Sequence, residues 1–235
     1  ISLTGVPTNP DGGVLLHPQP QVTFFDQRGV PVSGLVQNVS MSLCSKPEDS
    51  VGKIHGQTNL PAVEGVVTFT DVSIDRVGTY SVCYTSGSMV LNQTLEVLLG
   101  SERYITMLRQ PKILSVGKLW RDSTPAPKFA VTDAGGNLLD STREISHLQI
   151  EVLDGGTRSK PQMMWCGTCN VEPCFQTGAY DSVANNVGYR SQQLLECKVA
   201  NPGRGMRMKF SILANNMLLD SVLSDPFDVV SGTCS

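Results

Sequence analysis

The chain has 235 residues, including 22 Gly and 14 Pro, with a formal net charge of -3 and only 17% charged residues. That length suits two domains of roughly 100 residues, each able to bury its own core. A weakly acidic, charge-poor surface removes the electrostatic argument for nucleic acid or an anionic membrane as a partner. No apolar run of about 18 residues is available to cross a bilayer as a helix, so no membrane insertion is expected within this chain. It opens at Ile1 in strand-like sequence without a basic-then-apolar leader, as a processed or excised segment would.

In chain order, residues 18 to 26 (Pro-Gln-Pro-Gln-Val-Thr-Phe-Phe-Asp) run into an Asp-and-Gly turn, Asp26-Gln27-Arg28-Gly29-Val30, with Val32 on the returning strand. Val39, Met41 and Leu43 then alternate with polar residues. The stretch from Gly65 to Tyr84 carries the strongest signal. Val67, Phe69, Val72 and Ile74 are spaced by Thr, Asp and Ser, the segment Asp75-Arg76-Val77-Gly78 turns the chain, and Tyr80, Val82 and Tyr84 alternate strictly with Ser81 and Cys83. Period-two alternation marks strands with one buried face. Leu95, Val97 and Leu99 close the first domain, which places a boundary near Gly100 and divides the chain into 1-100 and 101-235.

Tyr104, Thr106 and Leu108 read as the first strand of the second domain. Residues 125 to 133 (Pro-Ala-Pro-Lys-Phe-Ala-Val-Thr-Asp) superpose on 18 to 26 without a gap at an offset of 107, and Asp133-Ala134-Gly135-Gly136-Asn137 repeats the turn, with Leu139 in the place of Val32. Leu148, Ile150 and Val152 correspond to Val39, Met41 and Leu43; further on, Val72 aligns with Val199 and Gly78 with Gly205 at an offset of 127. Self-similarity at a domain-sized period implies tandem copies of one fold. The extra residues of the second copy fall mostly in a Gly-, Asn- and Ser-rich excursion at about 154-192, followed by the alternating Met206, Met208, Phe210 and Ile212 and a last strand within Met217 to Val230. No segment sustains helical spacing, so the expected fold is all-β, two tandem antiparallel sandwiches, the second with a long Cys-rich insertion. Phe24, Val39, Met41, Phe69, Tyr80 and Val82 should fill one core, and Phe129, Val131, Leu148, Ile150, Met208 and Phe210 the other.

The run Asp75-Arg76-Val77-Gly78-Thr79-Tyr80 resembles the tyrosine corner of immunoglobulin-like domains, in which a Tyr hydroxyl bonds back to the backbone. The wider pattern, an Asp-x-x-Gly-x-x-Val hairpin, then Gly-Val-Val-Thr-Phe-Thr-Asp-Val-Ser-Ile-Asp and Gly-Thr-Tyr-Ser-Val, is similar to the Ig-like repeats of invasin-type adhesins. It is also similar to repeats of large surface, fibre and flagellar-hair proteins of algae and other protists. The resemblance is strong over 18-99, weaker over 108-153 and 193-230, and absent from the excursion. It implies an Ig-like fold and a role in extracellular spacing, adhesion or assembly, with no catalytic residues to carry over. Where the Ig pattern has a Cys two residues after the corner Tyr, this chain has Val82, and Cys83 follows on the opposite face. Cys44 is likewise out of phase with Leu43, so a Cys44 to Cys83 bridge would lie outside the core or at a strand end.

Seven cysteines (Cys44, Cys83, Cys166, Cys169, Cys174, Cys197 and Cys234) and the N-glycosylation acceptors Asn38 (Asn-Val-Ser) and Asn92 (Asn-Gln-Thr) point to an oxidising, extracellular setting. All seven are disulfide candidates. Trp165-Cys166-Gly167-Thr168-Cys169 has the spacing of a redox motif, but Pro173 and Cys174 stand where a following helix would run. Cys166, Cys169, Cys174 and Cys197 offer one close pair toward zinc, short of the two close pairs of a strong thiolate site. Disulfides pinning the excursion, with at least one reaching the sandwich through Cys197 or Cys234, are the expectation; the pairing stays open. An odd count leaves one cysteine over, and Cys234, past the last strand, is best placed to reach a neighbour.

The remaining candidates are weaker. His17, His55 and His147 form no ligand pair, and Asp133, Asn137 and Asp140 suit a tight turn better than a calcium loop. Arg204, Arg207 and Lys209 read as a solvated strand face before a site for a sulfated glycan. No catalytic constellation, cofactor or metal site is expected. The function expected is that of a non-catalytic structural or adhesive module, secreted or at the cell surface, that spaces and links neighbours in a surface or fibre assembly. Its partners would be copies of itself or other extracellular surface proteins, with glycans as a further class. The alternatives are a receptor segment binding through loop 154-192, or an accessory domain pair of a secreted enzyme.

Overall fold

A computed structural model describes residues 1-5, 7-48, 50-119, 127-139, 145-153, 164-166, 174-178, 181-182, 189-190 and 197-231. The chain is all-β, and no helix occurs among the described residues. It divides into two compact units, Ile1-Gly100 with Asp133-Asn137, and Ser101-Thr132 with Leu138-Ser235.

The first unit holds β1 (Ser2–Thr4), β2 (Gln21–Thr23), β3 (Asn38–Ser45), β4 (Ile54–His55), β5 (Asn59–Pro61), β6 (Val66–Thr68), β7 (Ser73–Ile74), β8 (Gly78–Ser86) and β9 (Met89–Val97). They form a sheet in the order β1-β2-β6, a second in the order β5-β3-β8-β9, and the small pair β4-β7. The strict alternation in β8 turns Tyr80, Val82 and Tyr84 inward, where they meet Val39 and Met41 of β3 and Val22 and Val67 of the other sheet. Phe24 and Phe69 are buried with them, and the Phe69 and Tyr84 rings lie 5.9 Å apart. The corner is formed as well. Tyr80 has no exposed surface, and its hydroxyl donates to the Arg76 carbonyl at 2.9 Å.

Two turns in the chain share one hydrogen-bond set. Asp26 N–H donates to Val30 O, Gly29 N–H to Asp26 O, and Val32 N–H to Phe24 O. At the offset of 107, Asp133 N–H donates to Asn137 O, Gly136 N–H to Asp133 O, and Leu139 N–H to Val131 O. Each Asp side chain also accepts from the two amides that match, Arg28 and Val30 in one turn and Gly135 and Asn137 in the other. Gly29 and Gly136 both stand at φ 78°, the left-handed conformation that closes such a turn and that Gly, lacking a Cβ, adopts most readily.

The second unit holds β10 (Tyr104–Arg109), β11 (Ile113–Ser115), β12 (Lys128–Thr132), β13 (Ile145–Leu153), β14 (Met164–Cys166), β15 (Cys174–Gly178), β16 (Asp181–Ser182), β17 (Tyr189–Arg190), β18 (Cys197–Val199), β19 (Gly203–Ala214), β20 (Met217–Leu223) and β21 (Phe227–Val230). One sheet runs β10-β12-β17-β16; another runs β11-β21-β19-β13-β15, with β20 also on β19; β14 and β18 pair with each other. Its core joins Phe129 and Val131 to Leu148, Ile150, Met208 and Phe210, with the Phe129 and Phe210 rings 5.2 Å apart.

In β10 the inward residue is Ile105, whereas Tyr104 and Leu108 are exposed. The strand beginning at Tyr104 is therefore present with the opposite face buried. The β19-β20 hairpin turns on Asn215 and Asn216, both at positive φ, as a two-residue type I′ loop requires.

Candidate interaction face of the first unit

The face of the β5-β3-β8-β9 sheet that points away from the core collects the polar members of each alternating strand. Ser40 stands opposite Thr85 and Ser42 opposite Cys83; Ser81 stands opposite Thr94 and Cys83 opposite Asn92. Hydroxyl and amide side chains dominate, so the face offers hydrogen bonds with little charge.

A disulfide lies on this face. Cys44 and Cys83 are joined with their Cα atoms 5.8 Å apart, inside the range such bonds favour. The β3-β8 register shifts between Leu43 and Ser45, so Cys44 is the extra residue of a bulge, exposed, while Cys83 is buried beside it. A bulge re-aims one residue without turning the rest of the strand over. Here it lets an out-of-phase cysteine meet its partner while Val39 and Met41 stay in the core.

Both acceptor residues stand on the same sheet. Asn38 opens β3 and Asn92 lies on β9; each is exposed, as are Ser40 and Thr94, the hydroxyl positions of the two acceptor triplets. Among the described residues β9 pairs along its length only with β8. Its C-terminal end is crossed by the preceding segment, where Leu98 N–H donates to Pro10 O and Gly12 N–H to Leu98 O, both at 2.9 Å. Among the described residues no second strand pairs with the half from Met89 to Asn92, and Met89 and Val90 are exposed there. Sequence reasoning passed over this edge. Its only signal was the weak apolar pair Met89-Val90 at the start of an otherwise alternating strand.

The other candidates are placed as follows. The Asp133 carboxylate is fully buried and accepts from the amides of Gly100, Gly135 and Asn137 and from Asn137 Nδ2. N–H donors thus surround the oxygens a cation would need, and the group works as a turn. Asp140 lies outside the described residues. Among the described residues no three His, Cys, Asp or Glu side chains gather at metal-binding distance. His55 Nε2 lies 3.2 Å from Asp75 Oδ2, and the other Asp75 oxygen accepts from the Lys53 amide at 2.7 Å. Partial burial works to raise the Asp75 pKa, but the Lys53 amide, the His55 hydrogen bond and the charges of His55 and Arg76 outweigh it and hold the carboxyl below its ordinary range. His17 takes no part in that pair, and the His147 side chain lies outside the described residues.

The β19 cations are engaged. Arg207 donates to the Ser224 carbonyl at 3.2 Å, and Lys209 Nζ lies 3.5 Å from Glu151 Oε2. Arg204 is the exposed one of the three. Cys169, Cys234 and most of 154-192 lie outside the described residues, whereas Cys166, Cys174 and Cys197 fall on β14, β15 and β18, described as backbone.

Comparison of the sequence with family models and with curated proteins finds no match. Among solved structures, domains 5-6 of the S-layer protein SbsC align with 99% of this chain and 97% of theirs at 13% identity and a TM-score of 0.30. The D0-D1 domain of intimin aligns over 97% of each chain at 12% identity and a TM-score of 0.31. SbsC domains 4 and 5 align with 97% of this chain and 96% of theirs, at 13% identity and a TM-score of 0.29. Fold and face together define a two-unit, all-β sandwich protein, mainly antiparallel with the one parallel pair β11-β21 among its described strands, and with a disulfide on an outward sheet face.

Proposed function

We propose that the chain is a non-catalytic extracellular module that spaces and links neighbours in a surface or fibre assembly, its domains 1-100 and 101-235 being tandem copies of one Ig-like sandwich. The observation that carries the reading is the outward face of the first unit. A cystine on the outward face of β3 and β8, on the same sheet as two exposed Asn-x-Ser/Thr acceptors, belongs to chemistry that persists in oxidising, secretory compartments. The matching hydrogen bonds of the Asp26 and Asp133 turns support duplication, since they follow the same offset as the flanking sequence. The open half of β9 offers backbone donors and acceptors to an added strand.

Sedimentation of the chain, secreted from a eukaryotic host without reductant, tests the reading over a wide concentration range. Concentration-dependent association is the expected result, with a mass decrease when Asn-linked glycans are enzymatically removed. A strictly monomeric protein at every concentration rejects the assembly role. An unglycosylated secreted chain removes the acceptors from the argument.

A further inference from the structure

We propose that Cys166 and Cys197 form a disulfide that closes the Cys-rich excursion at its base. The antiparallel pair β14-β18 sets Met164 against Val199, Trp165 against Lys198 and Cys166 against Cys197. Directly opposed residues of an antiparallel ladder have Cα atoms about 4.5 or 5.5 Å apart, depending on whether the pair exchanges hydrogen bonds. Both spacings fall in the window that disulfides accept, roughly 4.4 to 6.8 Å. The register thus meets the backbone condition for a bond whichever kind of pair this is.

The competing partners are fewer than the sequence suggests. Cys44 and Cys83 are bonded to each other, and Cys174 stands opposite Ile150 on β13, so its register partner is no cysteine. Among the described residues β14 and β18 pair only with each other, as strands of three residues each. A two-stranded ribbon this short has little stability of its own, although Val199 anchors β18 in the core. A covalent rung at Cys166-Cys197 holds the ribbon in register and turns everything between the two cysteines into a closed loop, which limits the disorder available to it in the unfolded chain.

The chemistry balances by thiol-disulfide exchange with an oxidised dithiol donor of the secretory compartment. One protein thiolate attacks the donor's S–S bond, giving a mixed disulfide and one donor thiol. The second thiolate attacks the protein sulfur of that bond and expels the other donor thiol. The chain loses two electrons and the donor gains them, and the two protons end on the released thiols. The pairing rests on the extracellular reading for its oxidant, and the test separates the two.

The full chain is secreted, alkylated in acid under denaturing conditions without reductant, digested, and its linked peptides sequenced by tandem mass spectrometry. The expected map contains Cys166 joined to Cys197 beside Cys44 joined to Cys83. Cys197 joined to any other cysteine, with Cys44-Cys83 intact, overturns the pairing and leaves the extracellular reading standing. Free thiols throughout, with or without bound zinc, overturn both. As an independent measurement, Cys166→Ser should make Cys197 newly reactive toward the alkylating reagent in the denatured, unreduced chain. A Cys197 whose labelling does not change in that variant counts against the bond. If the variant fails to fold, the map of the unaltered chain decides.

Discussion

Asp75 draws most of its partners from nearby in the fold, and its charge state therefore reports on the first unit. With its pKa held below the ordinary carboxylate range by the Lys53 amide, His55 and Arg76 against the opposing effect of burial, the ionised form is favoured by folding. That contribution is fully present above the unfolded-state value and is lost as pH falls through the lowered folded-state value. Asp75→Asn keeps an acceptor for the Lys53 amide but has no charge. The variant should be less stable than the parent at neutral pH, and the gap should close in acid, as read from denaturant midpoints across pH. A gap that stays constant would assign the loss to packing. At this scale the sequence was informative where a contact is local. Tyr80 and Arg76 are one turn apart, so their bond was written in a short motif. Ser50 Oγ, which reaches the same hydroxyl at 3.0 Å, comes from a distant loop that no spacing rule announces. Ile105 was missed for another reason: Tyr104 and Leu108 beside it are also apolar, and alternation cannot choose a face when both carry apolar side chains.

Among the elements, β3 shows how a strand serves two demands at once. Its first part must keep period two to bury Val39 and Met41, yet Cys44 has to reach Cys83, and the bulge between Leu43 and Ser45 reconciles them. The out-of-phase cysteine was visible in the sequence; the bulge that resolves it was not, because an inserted residue shows only in the pairing of two strands. The cross-link spans 39 positions, and constraint of the unfolded chain at that separation contributes about 2 to 4 kcal/mol. Replacing both residues, Cys44→Ala with Cys83→Ala, should lower unfolding free energy by about that amount while leaving the β spectrum in place. Stability unchanged to within a few tenths of a kcal/mol would mean that the bulge already holds the strands without the bond. The turns after Asp26 and Asp133 were the most readable elements of all, since Asp at the start and Gly at the left-handed position each answer one local requirement.

For the whole molecule, seven cysteines cannot all pair among themselves. Cys44 with Cys83 is one bridge, and Cys166 with Cys197, as proposed, is a second. Cys169, Cys174 and Cys234 then remain, so at most one further bond forms within the chain. Cys169 and Cys174 are close in sequence, whereas Cys234 comes after β21, the last strand in chain order. Its place in the sequence after that strand makes it the candidate for a bond to another chain, and an assembly held partly by strand-edge contacts would bring such a partner near. The expected outcome is a covalent dimer on electrophoresis in denaturant without reductant, converted to single chains when reductant is added. Cys234→Ser should abolish that dimer while leaving association in native sedimentation, since the non-covalent contacts do not depend on the sulfur. Single chains in unreduced denaturant, with Cys234 alkylated as a free thiol, would reject the covalent link and leave the edge contacts to carry the assembly alone.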